Sequence, residues 1–204
     1  MNGRILVAAA LVAASVGGCV SHQVRDRSDF LAEGVRTYTG ESRERVVEAA
    51  RTVLQVSDPT DFEFRDTLTG FTGLRRYVIY AVLAASNGRE KWEFQTEPDG
   101  KAVKAAITVS EAGVATGGYS TTPYEGQMAS VPLYRLFWDR VDYMLGKRPD
   151  WVSCEQADAA LKAAGTGSLA LGGLCGPTSD GRNAPPPEPL PQLPRSGKIA
   201  RSGR

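Results

Sequence analysis

The spacing of apolar residues predicts an amphipathic helix on each side of a central region. Between positions 42 and 58, apolar residues recur every three or four positions, with charged residues on the opposite face. Ser42 stands where an N-cap residue is expected, and Asp58-Pro59 ends the pattern. A second apolar stripe, Leu133–Leu145, stops before Gly146, a residue that is common just after helices.

Strand-like runs, in which apolar and polar residues alternate, come before and after the first helix. They are Gly34–Thr39, Phe62–Arg65, Leu74–Ala84, Lys91–Gln95 and Val103–Val109. Asn87-Gly88 and Asp99-Gly100 are dipeptides that tight hairpins prefer, because both central residues of a type I′ turn need a positive φ. We therefore predict an antiparallel meander of four to five strands.

The order strand, helix, meander, loop, helix predicts an α+β domain, a two-layer sandwich with the helices packed on one face of the sheet. The predicted loop, Glu111–Ala129, is rich in Gly, Ser and Thr and carries Tyr119 and Tyr124. Long loops in compact domains are often functional, so these tyrosines form a possible binding loop. The alternative is a mobile crossover with incidental tyrosines.

The chain beyond the second helix divides into a short helical part and a tail. Ser153 to Gln156 is a capping box, which predicts a helix that continues to Gly165. Beyond Cys175 the chain is proline-rich and basic, a composition that cannot form a packed core. We assign an α+β domain to residues 34–146, a helical extension to 147–175 and a disordered tail to 176–204. The tail could bind anionic lipid, peptidoglycan or a groove on a partner protein. The alternative is a flexible end without a role.

The N-terminus has the pattern of an export signal. Met1–Arg4 carries one cation, and Ile5–Val16 is apolar but well short of the roughly 20 residues that a membrane-spanning helix needs. Val16-Gly17-Gly18-Cys19 closes this stretch and resembles the lipobox of bacterial lipoprotein precursors. Val16 stands where that family usually has Leu. The alternative is an ordinary signal peptide with a chance cysteine.

The resemblance to lipoprotein precursors implies a cellular location for the protein. Residues 1–18 would be the removed signal peptide, Cys19 the acylated first residue, and 19–33 a tether. In that family an Asp after the cysteine commonly keeps the protein at the inner membrane, and this chain has Val20-Ser21. The resemblance therefore implies attachment to the outer membrane, facing the periplasm. Two or more acyl chains hold such a protein stably on a bilayer.

The cysteines and the net charge narrow the choice of partners. If Cys19 carries lipid, Cys154 and Cys175 remain as a pair in an oxidising compartment, which favours a disulfide between them. A redox or metal-binding role is the alternative. The net charge of the 204 residues is +1, so the protein lacks the strong positive electrostatic field that would indicate nucleic acid as a partner.

Few residues offer catalytic chemistry, and we predict no metal, no cofactor and no enzyme activity. The only histidine, His22, lies in the tether, where it cannot complete a hydrolase triad. The run Gly113–Gly118 lacks the Gly-Lys-Ser/Thr of a phosphate loop. Two aspartate pairs are the remaining route to catalysis, as in glycosidases: Asp58 with Asp61, and Asp139 with Asp142. Alternatively, Asp58 forms a turn, and Asp139 and Asp142 lie on a solvated face of the second helix.

The predicted pattern over Gly34–Leu145 looks like the helix-grip modules of periplasmic lipoproteins, among them accessory lipoproteins of the outer-membrane β-barrel assembly machine. That resemblance implies a non-catalytic binding or envelope-assembly accessory module, with a possible ligand pocket between sheet and helices. Expected partners are the bilayer, through Cys19, and envelope proteins or peptidoglycan. The alternatives are an envelope glycan hydrolase that uses carboxylates, and a purely structural spacer.

Overall fold

The computed structural model describes residues 27–81 and 83–192. Helices α1 to α5 span Arg27–Glu33, Arg43–Ser57, Val131–Met144, Cys154–Ala163 and Gly172–Cys175. Strands β1 to β6 span Val35–Thr39, Phe62–Asp66, Gly70–Ala81, Ala84–Asp99, Ala102–Gly117 and Ser120–Gln127. Short 3₁₀ helices occupy Ser168–Leu171 and Asp180–Asn183.

The strands form a single antiparallel sheet in the order β1-β5-β4-β3-β2, and β6 also pairs with β5. β1 pairs with Ala102–Ala106 in the first half of β5, and β6 pairs with Ser110–Gly117 in the second half. β1 and β6 therefore share one edge of β5. Because β3, β4 and β5 are long, the sheet continues past the region where β1 and β2 lie.

Helices α2 and α3 cover one face of this sheet, which we call the inner face. Side chains alternate along each strand, so Trp92 and Phe94 point inward and meet Phe137 of α3 at ring-centroid distances of 6.1 and 6.2 Å. Lys91 and Gln95, on the outer face, are exposed. The predicted α+β sandwich with helices on one face is confirmed.

The predicted helix boundaries agree with the structure. The Ser42 hydroxyl accepts a hydrogen bond from the Arg45 amide at the start of α2. Ser153 and Gln156 form the reciprocal capping box of α4. Gly146 adopts φ 69° just beyond α3, a left-handed conformation that glycine adopts at little cost.

Two predictions about the meander are wrong. Asn87-Gly88 is not a turn but lies within β4, paired with β3 and β5. The predicted loop Glu111–Ala129 is largely strand, because β5 continues to Gly117 and β6 follows from Ser120. A hairpin turn does lie between β4 and β5, but its two turn residues are Gly100, at φ 60°, and Lys101, because Asp99 ends β4 and pairs with Ala102.

The ordered part of the protein extends further at both ends than the predicted domain boundaries. The tether assigned to 19–33 includes α1, whose Phe30 ring contacts Tyr134 of α3 at a centroid distance of 5.3 Å. The tail assigned from Gly176 onward contacts the domain up to Gln192, with the Leu190 amide donating to the Met144 carbonyl at 2.9 Å. The predicted signal peptide, Cys19, His22 and positions 193–204 lie outside the described residues.

Within the two described segments, no helix combines the length and the apolar character needed to cross a bilayer.

Candidate functional site

A cavity of about 550 Å³ opens on the inner face of the sheet, beyond the part that α2 and α3 cover. Strands β3 to β6 form its floor. Residues 169–178, which we call the wall segment, form one side. The polar lining includes Arg75, Tyr77, Ser86, Glu90, Glu111 and Tyr124. The apolar lining includes Ile79, Met128, Leu169 and Pro177.

A row of four residues across four strands shapes the floor. Tyr77 of β3 is paired with Gly88 of β4, Gly88 with Gly113 of β5, and Gly113 with Tyr124 of β6. The tyrosine side chains lie over the glycines. A Cβ atom on Gly88 would be 2.5 Å from the Tyr124 hydroxyl and 2.7 Å from Cζ of Tyr77. Both glycines are therefore needed for the close approach of the tyrosines, which explains why Gly88 lies inside a strand.

A chain of hydroxyl groups crosses this row and ends on a carboxylate. Tyr77 donates to Glu111 Oε2 at 3.5 Å, and the Tyr77 and Tyr124 hydroxyl oxygens are 2.6 Å apart. Ser86 Oγ lies 2.9 Å from the Tyr124 hydroxyl. Since each hydroxyl has one hydrogen, Tyr124 must donate to Tyr77, and Ser86 must donate to Tyr124. All three hydrogens thus point along the chain toward Glu111.

The inner end of the cavity is a buried ion cluster around Arg75, which is 1% exposed. Arg75 Nε donates to Asp58 Oδ2 at 2.6 Å, and Nη1 donates to Glu90 Oε1 at 3.2 Å. Its Nη2 donates to both the carbonyl and the hydroxyl of Thr178, at 2.9 and 2.7 Å. A buried arginine is tolerated when its N–H groups are paired in this way.

Glu90 attaches the wall segment to the sheet. Its Oε2 accepts hydrogen bonds from the Trp92 indole at 3.0 Å and from the Gly173 amide at 2.9 Å. A Cβ atom on Gly173 would lie 2.7 Å from Cδ of Arg75, so only glycine allows this contact. Burial raises the pKa of both Glu90 and Asp58, although Arg75 opposes the shift.

The wall segment also carries a disulfide. Cys154 at the start of α4 and Cys175 at the end of α5 are bonded, with an S–S distance of 2.00 Å, as predicted. Both cysteines are buried. The bridge closes a 21-residue separation and holds α5 beside the core, where the Gly173 amide reaches Glu90.

The structure separates the residues predicted as a binding loop. Tyr124 lines the cavity, whereas Tyr119 is fully exposed in the hairpin turn between β5 and β6. The predicted aspartate pairs do not line the cavity either.

Each of these aspartates has a structural environment of its own. Asp58 is completely buried against Arg75 rather than serving only as a turn residue, and Asp61 is exposed. Asp139 forms an ion pair with Arg148 at 2.9 Å. Asp142 lies half-buried on α3, where desolvation raises its pKa.

Sequence reasoning missed Arg75, Glu90 and Glu111. A signal for the first two was present: strand alternation puts Arg75 on the same face as Phe71 and Tyr77, and Glu90 on the same face as Trp92. A charged residue at an inward strand position needs a buried partner. Glu111 was hidden because its strand was taken for a loop.

Comparison with protein-family models, with curated proteins and with solved structures finds no match to this chain.

Proposed function

We propose that this protein is a lipid-anchored lipoprotein of the periplasmic face of the outer membrane, acting as a non-catalytic binding or assembly accessory module. The observation that carries the binding half of the proposal is the cavity of about 550 Å³ on the inner face of the sheet. A pocket with an apolar lining and a few converging polar groups is the usual form of a ligand site. The Val16–Cys19 motif supports the anchoring half.

The position of the predicted carboxylate pairs supports a binding role over the glycan hydrolase. Two-carboxylate glycosidases need both groups to flank the scissile bond in one cleft. Asp58 is buried in an ion pair with Arg75, and Asp139 is paired with Arg148 on the surface. A hydrolase built on either pair would lack a cleft in which both carboxylates reach substrate.

The anchor is tested by metabolic labelling with a fatty-acid probe. We expect label and membrane association for the wild type and for the control Ser21→Ala, and loss of both for Cys19→Ala. Membrane association of Cys19→Ala at the wild-type level would contradict the anchoring proposal.

The cavity is tested by native mass spectrometry of protein purified from its own membranes. We expect an associated small molecule that is lost in Ser86→Phe, because Ser86 lines the cavity and a ring there would fill it. The control is Asn87→Phe, whose side chain lies on the outer face of the same strand. Equal retention of the molecule by both variants would contradict a cavity site.

A further inference from the structure

The cavity has no free cationic group with which to bind an anion. Among its lining residues the only arginine or lysine is Arg75. Four hydrogen bonds, to Asp58, Glu90 and Thr178, already occupy most of its five N–H groups. An anionic ligand that took these N–H groups would have to break buried hydrogen bonds and leave their acceptors unpaired, which is unfavourable.

The cavity does have a carboxylate that could accept more hydrogen bonds. Glu111 is half-buried and accepts one bond, from Tyr77, on Oε2. No lysine or arginine in the described segments forms an ion pair with it. An ionised carboxylate has about four acceptor positions on its oxygens, so most of those on Glu111 are open.

The formal charges around the cavity are unbalanced. Among the lining residues Arg75 is formally positive and Glu90 and Glu111 are formally negative, which leaves a formal balance of −1. The charge of Arg75 is in addition paired with Asp58, which lies behind it. Ile79 and Met128 add apolar lining beside these groups, and a carboxylate next to apolar groups attracts a cation more strongly than one surrounded by water.

We propose that the cavity binds an organic cation, an ammonium group carried on a short apolar body. The ammonium group donates to Glu111 and to the tyrosine hydroxyl oxygens, and the apolar body lies against Ile79, Met128 and Leu169. This inference rests on the proposed binding function and names the chemical class of its ligand.

The test uses three probes that share one apolar body: hexylammonium, hexanol and hexanoate. Binding to the purified mature protein is measured by ligand-observed NMR titration. We expect hexylammonium to bind about tenfold more tightly than hexanol, because a hydrogen bond between charged groups contributes more to affinity than a neutral one. We expect hexanoate to bind most weakly.

Two variants distinguish the contribution of the Glu111 charge from that of the shape of the cavity. Glu111→Gln keeps the shape and the Tyr77 hydrogen bond, so we expect it to bind hexanol normally and to lose the preference for hexylammonium. The matched control is Glu125→Gln, which removes a carboxylate from the outer face of β6 and should keep the preference. Unchanged thermal unfolding of both variants shows that they are folded.

Two outcomes overturn the inference and are distinguishable. If hexanol or hexanoate binds as tightly as hexylammonium, and Ser86→Phe abolishes that binding, the cavity is a binding site but not for cations. If none of the probes binds, or if Ser86→Phe leaves binding unchanged, the binding function itself is contradicted along with the ligand class.

Discussion

Two arginines, Arg75 and Arg140, are almost completely buried, at 1% and 2% exposure, and the protein accommodates their charges in different ways. Arg75 is held between two carboxylates, Asp58 and Glu90, at the edge of the cavity. Arg140, on α3, forms no ion pair with a carboxylate of the described segments and is surrounded by neutral groups.

The neutral partners of Arg140 come from several parts of the chain. Its Nε donates to the Val152 carbonyl at 3.0 Å, and its Nη1 donates to the Ser57 hydroxyl at 2.8 Å and the Leu174 carbonyl at 3.2 Å. Its Cζ lies 4.5 Å from the centre of the Trp151 ring. Burial without a carboxylate partner lowers the pKa of Arg140 to about 10, so it stays charged at neutral pH.

The comparison shows two ways of holding the wall segment. Arg75 reaches it through Thr178, and Arg140 reaches it through Leu174 and Cys175. Around Arg75 the compensating groups are the carboxyl groups of Asp58 and Glu90. Around Arg140 they are dipoles, sulfur and an aromatic face. Removing each arginine should therefore have different consequences.

The largest expected effect is that of Arg75→Met. It leaves Asp58 and Glu90 buried without their cation, and we expect a loss of about 3–5 kcal/mol in the free energy of unfolding, measured by urea unfolding. The control is Arg76→Met, an exposed neighbour on the outer face, which should stay within about 0.5 kcal/mol of wild type. A loss below 1 kcal/mol for Arg75→Met would mean that the cluster is not a compensated ion network.

Removal of the disulfide comes next. In the double variant Cys154→Ala/Cys175→Ala we expect a loss of about 3 kcal/mol, because the bridge closes a loop of 21 residues and restricts the unfolded chain. Urea unfolding of the wild type with and without a dithiol reductant provides the matched comparison. An unfolding curve that does not respond to the reductant, with both thiols then titrating as free, would contradict a stabilising bridge.

Arg140→Met should cost less than Arg75→Met, about 1–3 kcal/mol. The variant leaves neutral acceptors unpaired, such as the Leu174 carbonyl, but it leaves no buried charge without a partner. The control Arg148→Met removes a surface ion pair with Asp139 and an exposed hydrogen bond to the Asp150 carbonyl, and it should change stability by about 1 kcal/mol or less. If Arg140→Met proved as damaging as Arg75→Met, the distinction between the two arginines would be wrong.

The sequence predicted the layers of the fold because apolar periodicity and capping residues are local signals. Ser42, Gly146 and the Ser153–Gln156 box act on neighbouring backbone groups, so their meaning does not depend on the tertiary structure. The fold class and both main helices followed from them.

The candidate site was harder to predict because it depends on pairing across strands. Asn87-Gly88 has the composition of a turn, yet Gly88 serves to accommodate tyrosines from two other strands. Only the register that aligns Tyr77, Gly88, Gly113 and Tyr124 reveals this role. Register is a long-range property, and in this chain the misleading dipeptide also displaced the predicted strand ends.

The smallest expected effect is the pH dependence that the Arg75 cluster produces. Burial raises the pKa of Asp58 and Glu90 in the folded protein above their ordinary values of about 4. Between the ordinary and the raised pKa the folded state binds more protons than the unfolded state, so stability falls as pH rises. We therefore expect the urea midpoint to be higher at pH 5 than at pH 7, by less than the change that Arg140→Met produces.

Glu90→Gln tests how much of this dependence comes from the Arg75 cluster, because the raised pKa of Asp142 acts in the same direction. It removes one of the groups with a raised pKa, so the difference between the two pH values should shrink, whereas Glu63→Gln, an exposed residue of β2, should leave the difference unchanged. Arg140 should contribute nothing between pH 5 and pH 7, because its pKa of about 10 lies far above that range. A wild-type protein that is less stable at pH 5 than at pH 7 would require carboxylates with lowered pKa values, which is the opposite of what burial around Arg75 produces.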